Sequence, residues 1–537
     1  MPVPVTAILP AKRWPSLAAP KTKLAAHPRI LIFLAALLLK GFAGAVFFGS
    51  VDLVNAAMGS LAILAGKQIH VPYFPTINAF LWLGGVLSAA LSVPFALSLK
   101  LVPILFDSLL AVLVYDLVRR SEPRLALRAG LLYALSPLAL LITSFQGQWD
   151  AIALFFLLLA FGLLQDGVQK DATEDSRKQI VFGALFGISL LIKPIALPFL
   201  LLFPLRKRSG KWFVEWPAIL GLAAVLGIAF AVFTSYGYST IDVMIQILAY
   251  GNKGVQTFGL PFALLEPHWH IRLWIVLPMV LLAVLHHKRK LAAMDAPLLF
   301  YLCCLATTGL SPQYLLWPLP LLLATKRLRL AGFYSAVATA FLLLYYANPW
   351  TSFYAFENLG IFAPLRSLSW LLPPAALESR ELLPLVHSLG NLAFPACAMV
   401  VAVLVLKSGL GRMAEERNQS GDSRWFLRAA GWYAAPLLLV FAIILVARLT
   451  VHTSELQPRL TQIWKALPGD YGLQLRSLNP TVVLARESAG FASLNVVVLL
   501  ALLAAGWCAF CFTWRKESQA PSNRCSHAMR EQPARWI

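Results

Sequence analysis

Charged residues are scarce in this chain, and acidic residues are the scarcer kind. Of its 537 residues 13% are charged, with 24 Asp and Glu against 45 Lys and Arg, while 59% are hydrophobic. The mean hydropathy is +0.72. Soluble globular domains carry roughly twice this share of charged residues. The composition therefore excludes an ordinary soluble protein and predicts one that crosses a membrane many times.

Two signatures of other protein classes are also missing. A cytoplasmic nucleotide-sugar enzyme would be expected to show a Gly-rich phosphate loop within alternating strands and helices, and neither is present. The six cysteines form no secreted disulfide framework. Cys303, Cys304 and Cys397 lie in apolar runs, and Cys508 with Cys511, although spaced CxxC, lies in the last hydrophobic segment. We interpret them as small buried hydrophobic residues.

The net charge of +21 is arranged as a topology signal and not as one basic face for nucleic acid, so no nucleic-acid partner is expected. Basic residues lie in short clusters between apolar runs, as the positive-inside rule describes. The clusters cover residues 12–29, 119–128, 206–211, 288–290, 326–329, 407–428 and 515–537. We expect each cluster on the cytoplasmic side, with the chain leaving and returning between any two of them.

The number of membrane crossings between any two clusters is therefore even, and we refer to this rule as parity. Parity predicts an all-α fold, a polytopic transmembrane helical bundle of about 14 spans at roughly 20 residues each, with both termini cytoplasmic. The first span covers residues 30–48, and 101–118, 130–145 and 150–165 are further spans. A cleaved signal peptide is the alternative for the first span, but its apolar run is long and the basic stretch before it is extended.

The clusters also divide the chain into four parts. These are a basic cytoplasmic N-terminus (1–29), a first transmembrane module (30–330) with a long outer loop (49–100), C-terminal transmembrane helices (331–513) with outer loops at 348–384 and 448–490, and a cytoplasmic tail (514–537). In the first outer loop, residues 75–97 are apolar enough to span. A crossing there would move the cluster at 119–128 outside, so we expect interfacial helices instead.

Two interrupted apolar stretches predict broken helices near Lys193 and Pro312. The stretch 180–205 is interrupted by Lys193 and the proline after it, and the stretch 296–325 by the sequence SPQY around Pro312. Basic clusters on both sides of each stretch place each break on the outer side. Non-helical backbone at membrane depth usually lines a cavity.

The polar segment Phe145–Asp150 (FQGQWD) lies between two apolar runs, and parity places it outside. Polar side chains are costly in a bilayer and mark a functional site by default. The candidate residues on this outer side are Asp52, Asp107, Gln148, Asp150, Lys193, Tyr250, His268, His270, Arg272, Gln313 and Tyr314. They come from many helices but from one side of the membrane, as expected for an active site on a helical bundle.

Such residues suit transfer from a phosphate-linked donor. Carboxylates can take a proton from an attacking hydroxyl, while Lys193, Arg272 and the histidines can hold an anionic leaving group. Structural alternatives remain open: Asp52 as a solvated loop acid, and the two histidines as part of an interfacial aromatic belt.

Two acids occupy the span 101–118. Asp116 lies near its cytoplasmic end beside Arg119 and Arg120, where a local ion pair explains it. Asp107 has no local partner, and an isolated carboxylate in the bilayer costs roughly 2.5–3.5 kcal/mol. We therefore expect Asp107 to face a cavity.

The order of these motifs resembles a known family. After the acid behind the first span come Tyr73-Phe74-Pro75, KLVPILFD (100–107), GQWDAI (147–152), IKP (192–194) and SPQYLLW (311–317). Over about residues 30–330 the chain resembles the GT-C glycosyltransferases, specifically the bacterial polyprenol-phosphate-mannose-dependent mannosyltransferases related to the GPI mannosyltransferases.

The resemblance implies a membrane glycosyltransferase, with 30–330 as its catalytic module. It implies transfer of a sugar, mannose in this family, from a polyprenyl phosphate to an acceptor hydroxyl on the extracytoplasmic face, with inversion at the anomeric carbon. Many members carry paired acids in the first outer loop, whereas Asp52 stands alone in GSVDLVN. Asp52 is the expected base, with Asp150 as the second candidate.

The other candidate residues complete the expected site. Lys193, Arg272, His268 and His270 are expected at the donor phosphate, and Asp107, Gln148, Gln313, Tyr314 and Tyr250 at the substrates. We expect no metal and no cofactor beyond the lipid-linked donor, and a lipid, glycan or protein acceptor. The expected location is the inner (plasma) membrane of a bacterium, with the active site facing the periplasm or the cell exterior.

Two other functions remain as alternatives. A polytopic transporter or a lipid or glycan flippase uses broken helices and intramembrane charges equally well. Such a transporter should show two related halves, and none is evident in the sequence. A scaffold of a cell-envelope assembly, docking through the loop 448–490, is the third possibility.

Overall fold

The computed structural model describes residues 27–49, 76–91, 95–164, 172–201, 205–208, 211–235, 269–287, 291–307, 312–346, 354–355 and 394–409, and the single positions 53, 56, 60, 63, 239, 241 and 433. These parts of the chain are almost entirely helical, which confirms the predicted all-α class.

The helices follow each other in the order that the apolar runs predict. The first are α1 (Pro28–Val46), α2 (Thr76–Leu91), α3 (Phe95–Ser121), α4 (Pro123–Ala134), α5 (Pro137–Ala139), a π-helix (Leu140–Phe145), α6 (Asp150–Leu164), α7 (Ala172–Ile192) and a first 3₁₀ helix (Pro194–Leu201). The rest are α8 (Trp216–Ser235), α9 (Trp269–His287), α10 (Asp295–Thr307), a second 3₁₀ helix (Pro312–Leu316), α11 (Pro318–Ala324), α12 (Leu328–Tyr346) and α13 (Phe394–Gly409).

Two short antiparallel strand pairs accompany the helices. Strand β1 (Phe47–Gly49) directly follows α1 and pairs with β4 (Tyr354–Ala355), which lies in the predicted outer loop 348–384. Strands β2 (Leu205–Arg208) and β3 (Lys211–Val214) form a hairpin directly before α8. The β1–β4 pair therefore connects the end of the first helix to a distant part of the chain.

Several helices of the described chain are long and apolar enough to cross a membrane. Those with at least 18 residues are Pro28–Ala45, Leu97–Ser121, Pro123–Phe145 and Trp216–Ser235. The first three coincide with predicted spans, and α6 begins at the predicted residue. Shorter apolar helices account for much of the remainder. The predicted total of about 14 spans is not confirmed by the described residues.

Helix α3 lies at the centre of the bundle. Its residues from Leu109 to Val114 are at most 1% exposed, and the helix packs against α1, α2, α4, α6 and α11. A helix that is apolar on all sides is buried among other helices. Polar residues on α3, among them Lys100 and Asp107, are therefore carried into the interior.

Both predicted helix breaks are confirmed. Helix α7 ends at Ile192, Lys193 lies outside any helix, and a 3₁₀ helix begins with the proline that follows. Proline disfavours the α conformation for the residue before it, which explains this break. The second break repeats the pattern, with a 3₁₀ helix beginning at Pro312. The first break was expected between two short half-helices, but α7 has 21 residues.

Helices α7 and α8 run in the same direction. Gly183 on α7 faces Ala218 near the start of α8, and Gly187, one turn further, faces Val225. The chain must therefore return between them, through the first 3₁₀ helix and the β2–β3 hairpin. This agrees with the parity argument for a break at Lys193.

Helix α2 occupies the segment for which interfacial helices were expected. Its residues Ile77, Leu81, Trp82 and Val86 are buried, and the helix packs on α3. α2 is thus part of the bundle core rather than a separate surface helix. Its depth in the membrane stays a prediction.

Candidate functional site

The Asp150 carboxylate is fully buried, and both of its oxygens are engaged. Lys193 Nζ lies 2.6 Å from Oδ2, and the indole Nε1 of Trp317 donates to Oδ1 at 2.6 Å. Asp150 begins α6, Lys193 follows α7, and Trp317 follows the second 3₁₀ helix. The motifs GQWD, IKP and SPQYLLW, up to 167 residues apart in the chain, therefore meet at one carboxylate.

A tight turn between the π-helix and α6 delivers Asp150 to this position. Gly147 has a φ of +70°, a left-handed conformation that residues with a side chain rarely adopt. The backbone N–H of Gln148 donates to the backbone carbonyl of Ile142 at 3.1 Å and fixes the turn against the π-helix. π-helical turns are frequent at functional sites. Asp150 then stands in the first turn of α6, where the helix dipole favours a negative charge.

Aromatic rings surround Lys193. Its Nζ lies 5.3 Å from the centroid of the Tyr314 ring, a cation–π contact. The rings of Tyr314 and Trp317 have centroids 4.1 Å apart, and Tyr301 meets Trp317 edge-on at 4.9 Å. The Tyr301 hydroxyl donates to the Ile195 carbonyl at 3.1 Å, which anchors the 3₁₀ helix after Lys193. The ammonium is thereby held in a dry site with a fixed direction.

Asp107 has a partner after all, contributed by the first helix. Lys40 Nζ lies 2.6 Å from Asp107 Oδ2, and both side chains are 0% exposed. The Tyr133 hydroxyl donates to Asp107 Oδ1 at 2.6 Å, and Lys40 Nζ lies 4.9 Å from the Tyr133 ring centroid. The cavity-facing expectation for Asp107 rested on the absence of a local partner; Lys40 is a partner from another helix, and the predicted role of Asp107 at the substrates stays a prediction. Lys40 was missed, although a lysine inside an apolar span is itself a signal.

Lys100, in the motif KLVPILFD, is a second fully buried lysine of this region that the sequence analysis did not single out. Its Nζ donates to the Gly44 carbonyl at 3.4 Å. Its Cγ lies 3.4 Å from the point where a Cβ on Gly147 would stand, and Leu53 Cδ1 lies 2.7 Å from the same point. Lys100 and Leu53 therefore both pack on the turn that leads to Asp150.

The Asp107 and Asp150 clusters are neighbours. The Lys100 side chain joins them, because it donates to the Gly44 carbonyl, one turn after Lys40, and lies against Gly147, three residues before Asp150. Thr143 and Ser144 of the π-helix add two buried hydroxyl oxygens without a hydrogen-bond partner within the described chain. Buried polar groups of this kind often bind water.

The other predicted site residues divide into three groups. In the first group, Gln148 is buried in the same motif as Asp150. Gln313 is buried and Tyr314 is half-buried in the same motif as Trp317. His270 and Arg272 lie in the first turn of α9, for which the backbone alone is described. Asp52, Tyr250 and His268 lie outside the described residues. The roles predicted for all of these residues stay predictions.

Asp116 also has a different partner from the predicted one. Arg29 Nε donates to its Oδ1 at 2.9 Å, and the Tyr433 hydroxyl donates to Oδ2 at 2.7 Å. Arg120 donates instead to the Gly162 carbonyl. Asp116 is thus explained by an ion pair, as expected, but the arginine comes from the start of α1.

Within the described parts of the chain, no group of three or more His, Cys, Asp and Glu side chains converges as metal ligands would. The candidate site consists instead of two lysine–aspartate pairs, a third lysine and aromatic side chains. Such a set can bind and orient an anionic group. The expectation that no metal or cofactor is needed stays a prediction.

Comparison with known proteins identifies one family. Residues 75–236 match the family model of dolichyl-phosphate-mannose-protein mannosyltransferases. No curated protein and no solved structure matches the chain. The matched segment covers less than half of the chain but contains Asp107, Asp150 and Lys193.

The motifs had suggested the GPI-related branch, and the matching model is the protein-mannosyltransferase one. The match confirms that the chain resembles the GT-C mannosyltransferases, integral membrane enzymes that the apolar helices of this structure fit.

Proposed function

We propose that this protein transfers mannose from a polyprenyl-phosphate donor to an acceptor hydroxyl on the extracytoplasmic face of the bacterial inner membrane, with inversion at the anomeric carbon. The coarser statement, a membrane mannosyltransferase of the GT-C type, rests on the family match. The observation that carries the finer proposal is the meeting of three separate motifs at the Asp150 carboxylate.

Lys193 is the cation assigned to the donor phosphate. An ammonium has three donors, and the described contacts direct Lys193 Nζ toward Asp150 and the Tyr314 ring. A charge-assisted hydrogen bond from an ammonium to a phosphate oxygen is roughly twice as strong as a neutral one. Arg272 and the histidines of the same outer side would complete the phosphate site.

Asp52 is the base in this proposal, and Asp150 orients Lys193. A base must come within hydrogen-bond reach of the proton that it takes. Both Asp150 oxygens already accept from Lys193 and Trp317, and the carboxylate is 0% exposed. Leu53, the chain neighbour of Asp52, packs on Gly147, three residues before Asp150. This contact places Leu53 at the turn before Asp150, and the role of Asp52 as the base rests on the family resemblance.

The proposed reaction is a single displacement. Asp52 takes the proton of the acceptor hydroxyl, and the hydroxyl oxygen forms a bond to the anomeric carbon from the face opposite the phosphate. The bond from that carbon to the phosphate oxygen breaks, and its electron pair leaves with the polyprenyl phosphate. Lys193 stabilises the charge that develops on the departing phosphate, which is the kind of interaction that accelerates transfer.

Purified protein in sealed lipid vesicles tests the donor class. The protein is incubated with acceptor-containing membrane extract and either polyprenyl-phosphate mannose or nucleotide-linked mannose, each radiolabelled in the sugar. We expect label to move to the acceptor from the lipid donor alone. Direct transfer from the nucleotide donor, or translocation of the lipid donor without transfer as a flippase would give, contradicts the proposal.

A further inference from the structure

Two buried lysines interlock the first helix with the central helix. Lys40 of α1 lies 2.6 Å from Asp107 of α3, and Lys100 of α3 donates to the Gly44 carbonyl of α1 at 3.4 Å. Each helix thus sends one lysine to the other, and the two contacts lie about one turn apart on α1 and about two turns apart on α3. Lys40, Lys100 and Asp107 are all 0% exposed. We refer to these three side chains and the Gly44 carbonyl as the lysine clamp.

Packing alone does not require such residues. Lysine and aspartate are costly within a membrane, and charged residues retained there commonly serve function. The same bundle contains a helix pair that needs no charge, because α7 and α8 approach through Gly183 and Gly221. Small residues of this kind are the usual means of close helix contact in membranes. The lysine clamp therefore calls for a role beyond holding two helices together.

The place of the lysine clamp identifies that role. Gly44 lies in the last turn of α1, and the chain continues through β1 toward Asp52. The Lys100 side chain that holds Gly44 also lies against Gly147, and Leu53 packs on the same glycine. Lys100 thus contacts both the segment before Asp52 and the turn before Asp150.

Tyr133 adds a hydrogen bond to the lysine clamp. Its hydroxyl donates to Asp107 at 2.6 Å, and its ring lies under the Lys40 ammonium. Lys100 of the same clamp lies against Gly147, three residues before Asp150, the partner of Lys193. The two lysine–aspartate pairs are therefore parts of one buried polar region.

We infer that the lysine clamp holds Leu53 and the last turn of α1 against the GQWD turn, so that Asp150 stays in place beside Lys193. Lys40, Lys100 and Asp107 are positioning residues here, because they act through the backbone of α1 and the turn at Gly147. The structural part of this inference stands on the contacts above. Its catalytic consequence rests on the proposed function.

Thiol accessibility tests the structural part without any activity measurement. Leu53 is 1% exposed, so Leu53→Cys in a background free of the six native cysteines should react slowly with a water-soluble maleimide. We expect the reaction to become severalfold faster when Lys40→Met/Asp107→Asn or Lys100→Met is added. Lys40→Arg and Lys100→Arg should keep the slow reaction. The double variant removes both charges together, so it does not leave Asp107 buried and unpaired.

The matched control removes a different buried ion pair. Asp295 and Arg327 pair at 2.5 Å between α10 and the start of α12, and Asp295→Asn/Arg327→Met should leave the labelling of the Leu53→Cys thiol slow. Equal labelling in the wild-type background and in both clamp variants, with folded protein recovered in each, overturns the inference. Equal acceleration by the control pair also overturns it, because the effect would then report general loosening.

Kinetics test the catalytic consequence. A misplacement of about 1 Å can lower a rate on the order of 100-fold. In Lys100→Met, kcat per folded enzyme should therefore fall by about 10- to 100-fold, while the KM for the donor changes little. Lys100→Arg should recover part of the lost kcat. An unchanged kcat in folded Lys100→Met contradicts the positioning role. If the wild-type protein transfers no sugar at all, the proposed function fails, while the labelling experiment still decides the structural claim.

Discussion

At the scale of single residues, the Asp150 carboxylate depends on two donors that lie far from it in the sequence. Lys193 and Trp317 each occupy one oxygen at 2.6 Å. Neither donor can be replaced by water, because Asp150 is 0% exposed. The loss of either donor should therefore appear as a loss of stability whatever the protein does.

Two substitutions measure this dependence. Trp317→Phe keeps the ring but leaves one buried carboxylate oxygen without its donor, which should cost about 1–3 kcal/mol. Lys193→Met leaves a buried charge unpaired and should cost about 3–5 kcal/mol. Thermal melting in detergent measures both. Trp216→Phe is the matched control, since Trp216 is 68% exposed and its substitution should leave the melting temperature unchanged. If Trp317→Phe behaves like Trp216→Phe, the described hydrogen bond is not formed.

Single-residue signals in the sequence identified acids better than their partners. Asp107 and Asp150 were recognised because a carboxylate is rare in an apolar run, and Lys193 because it precedes a proline. The partners Lys40, Trp317 and Arg29 lie 67, 167 and 87 residues away from Asp107, Asp150 and Asp116. Such pairings are set by tertiary packing, which no local pattern contains.

At the scale of helices, the closest packing lies between α7 and α8. A Cβ on Gly183 would stand 1.9 Å from the Ala218 carbonyl oxygen, and one on Gly221 would stand 2.0 Å from the Ile180 carbonyl oxygen. These contacts involve backbone atoms, which cannot move without separating the helices. Since α7 ends at Ile192, a shift of this helix moves Lys193.

Gly183→Ala and Gly221→Ala should each destabilise the protein by about 1–3 kcal/mol, as overpacking does. Gly227→Ala, on α8 like Gly221→Ala, is the control, because a Cβ there meets nothing within 4 Å. Alanine is more favourable than glycine in a helix by up to about 1 kcal/mol, so this variant should not be destabilised. Melting curves of the three variants should separate the first two from the third. Equal melting temperatures for Gly183→Ala and Gly227→Ala would show that α7 and α8 are not in close contact.

The helices themselves were largely predictable, and for physical reasons. Apolar runs of bilayer length predict α1 and α3, and a proline after a polar residue predicts the breaks at Lys193 and Pro312. The place of α2 was not predictable in the same way. Apolar length and charge parity gave conflicting indications for this segment, and neither contains the contact with α3 that buries Trp82.

At the scale of the whole molecule, hydrogen bonds join the C-terminal part of the chain to the predicted first module, and one of them comes from the arginine of a further buried ion pair. Arg327 donates to Asp295 at 2.5 Å and 3.2 Å, and its Nε donates to Ser408 of α13 at 3.1 Å. Tyr433 reaches Asp116 on α3 in the same manner. The predicted boundary at residue 330 lies within α12, three residues after Arg327, and it stays a prediction.

Arg327 should be one of the most sensitive positions outside the candidate site. Arg327→Met leaves Asp295 buried without its cation and should cost about 3–5 kcal/mol. Asp295→Asn/Arg327→Met should cost clearly less, because no unpaired charge remains. A double-mutant cycle on melting data measures the difference. Additive effects of the two single substitutions would contradict a direct pair.

The most direct measurement of the central claim is mannose transfer by Asp52→Asn in reconstituted vesicles supplied with polyprenyl-phosphate mannose and acceptor. Asp52→Asn removes the proposed base but keeps the size of the side chain, so the protein should insert and melt like the wild type. The account predicts that transfer, present in the wild type, is abolished in this variant. Transfer at the wild-type rate by folded Asp52→Asn would contradict it.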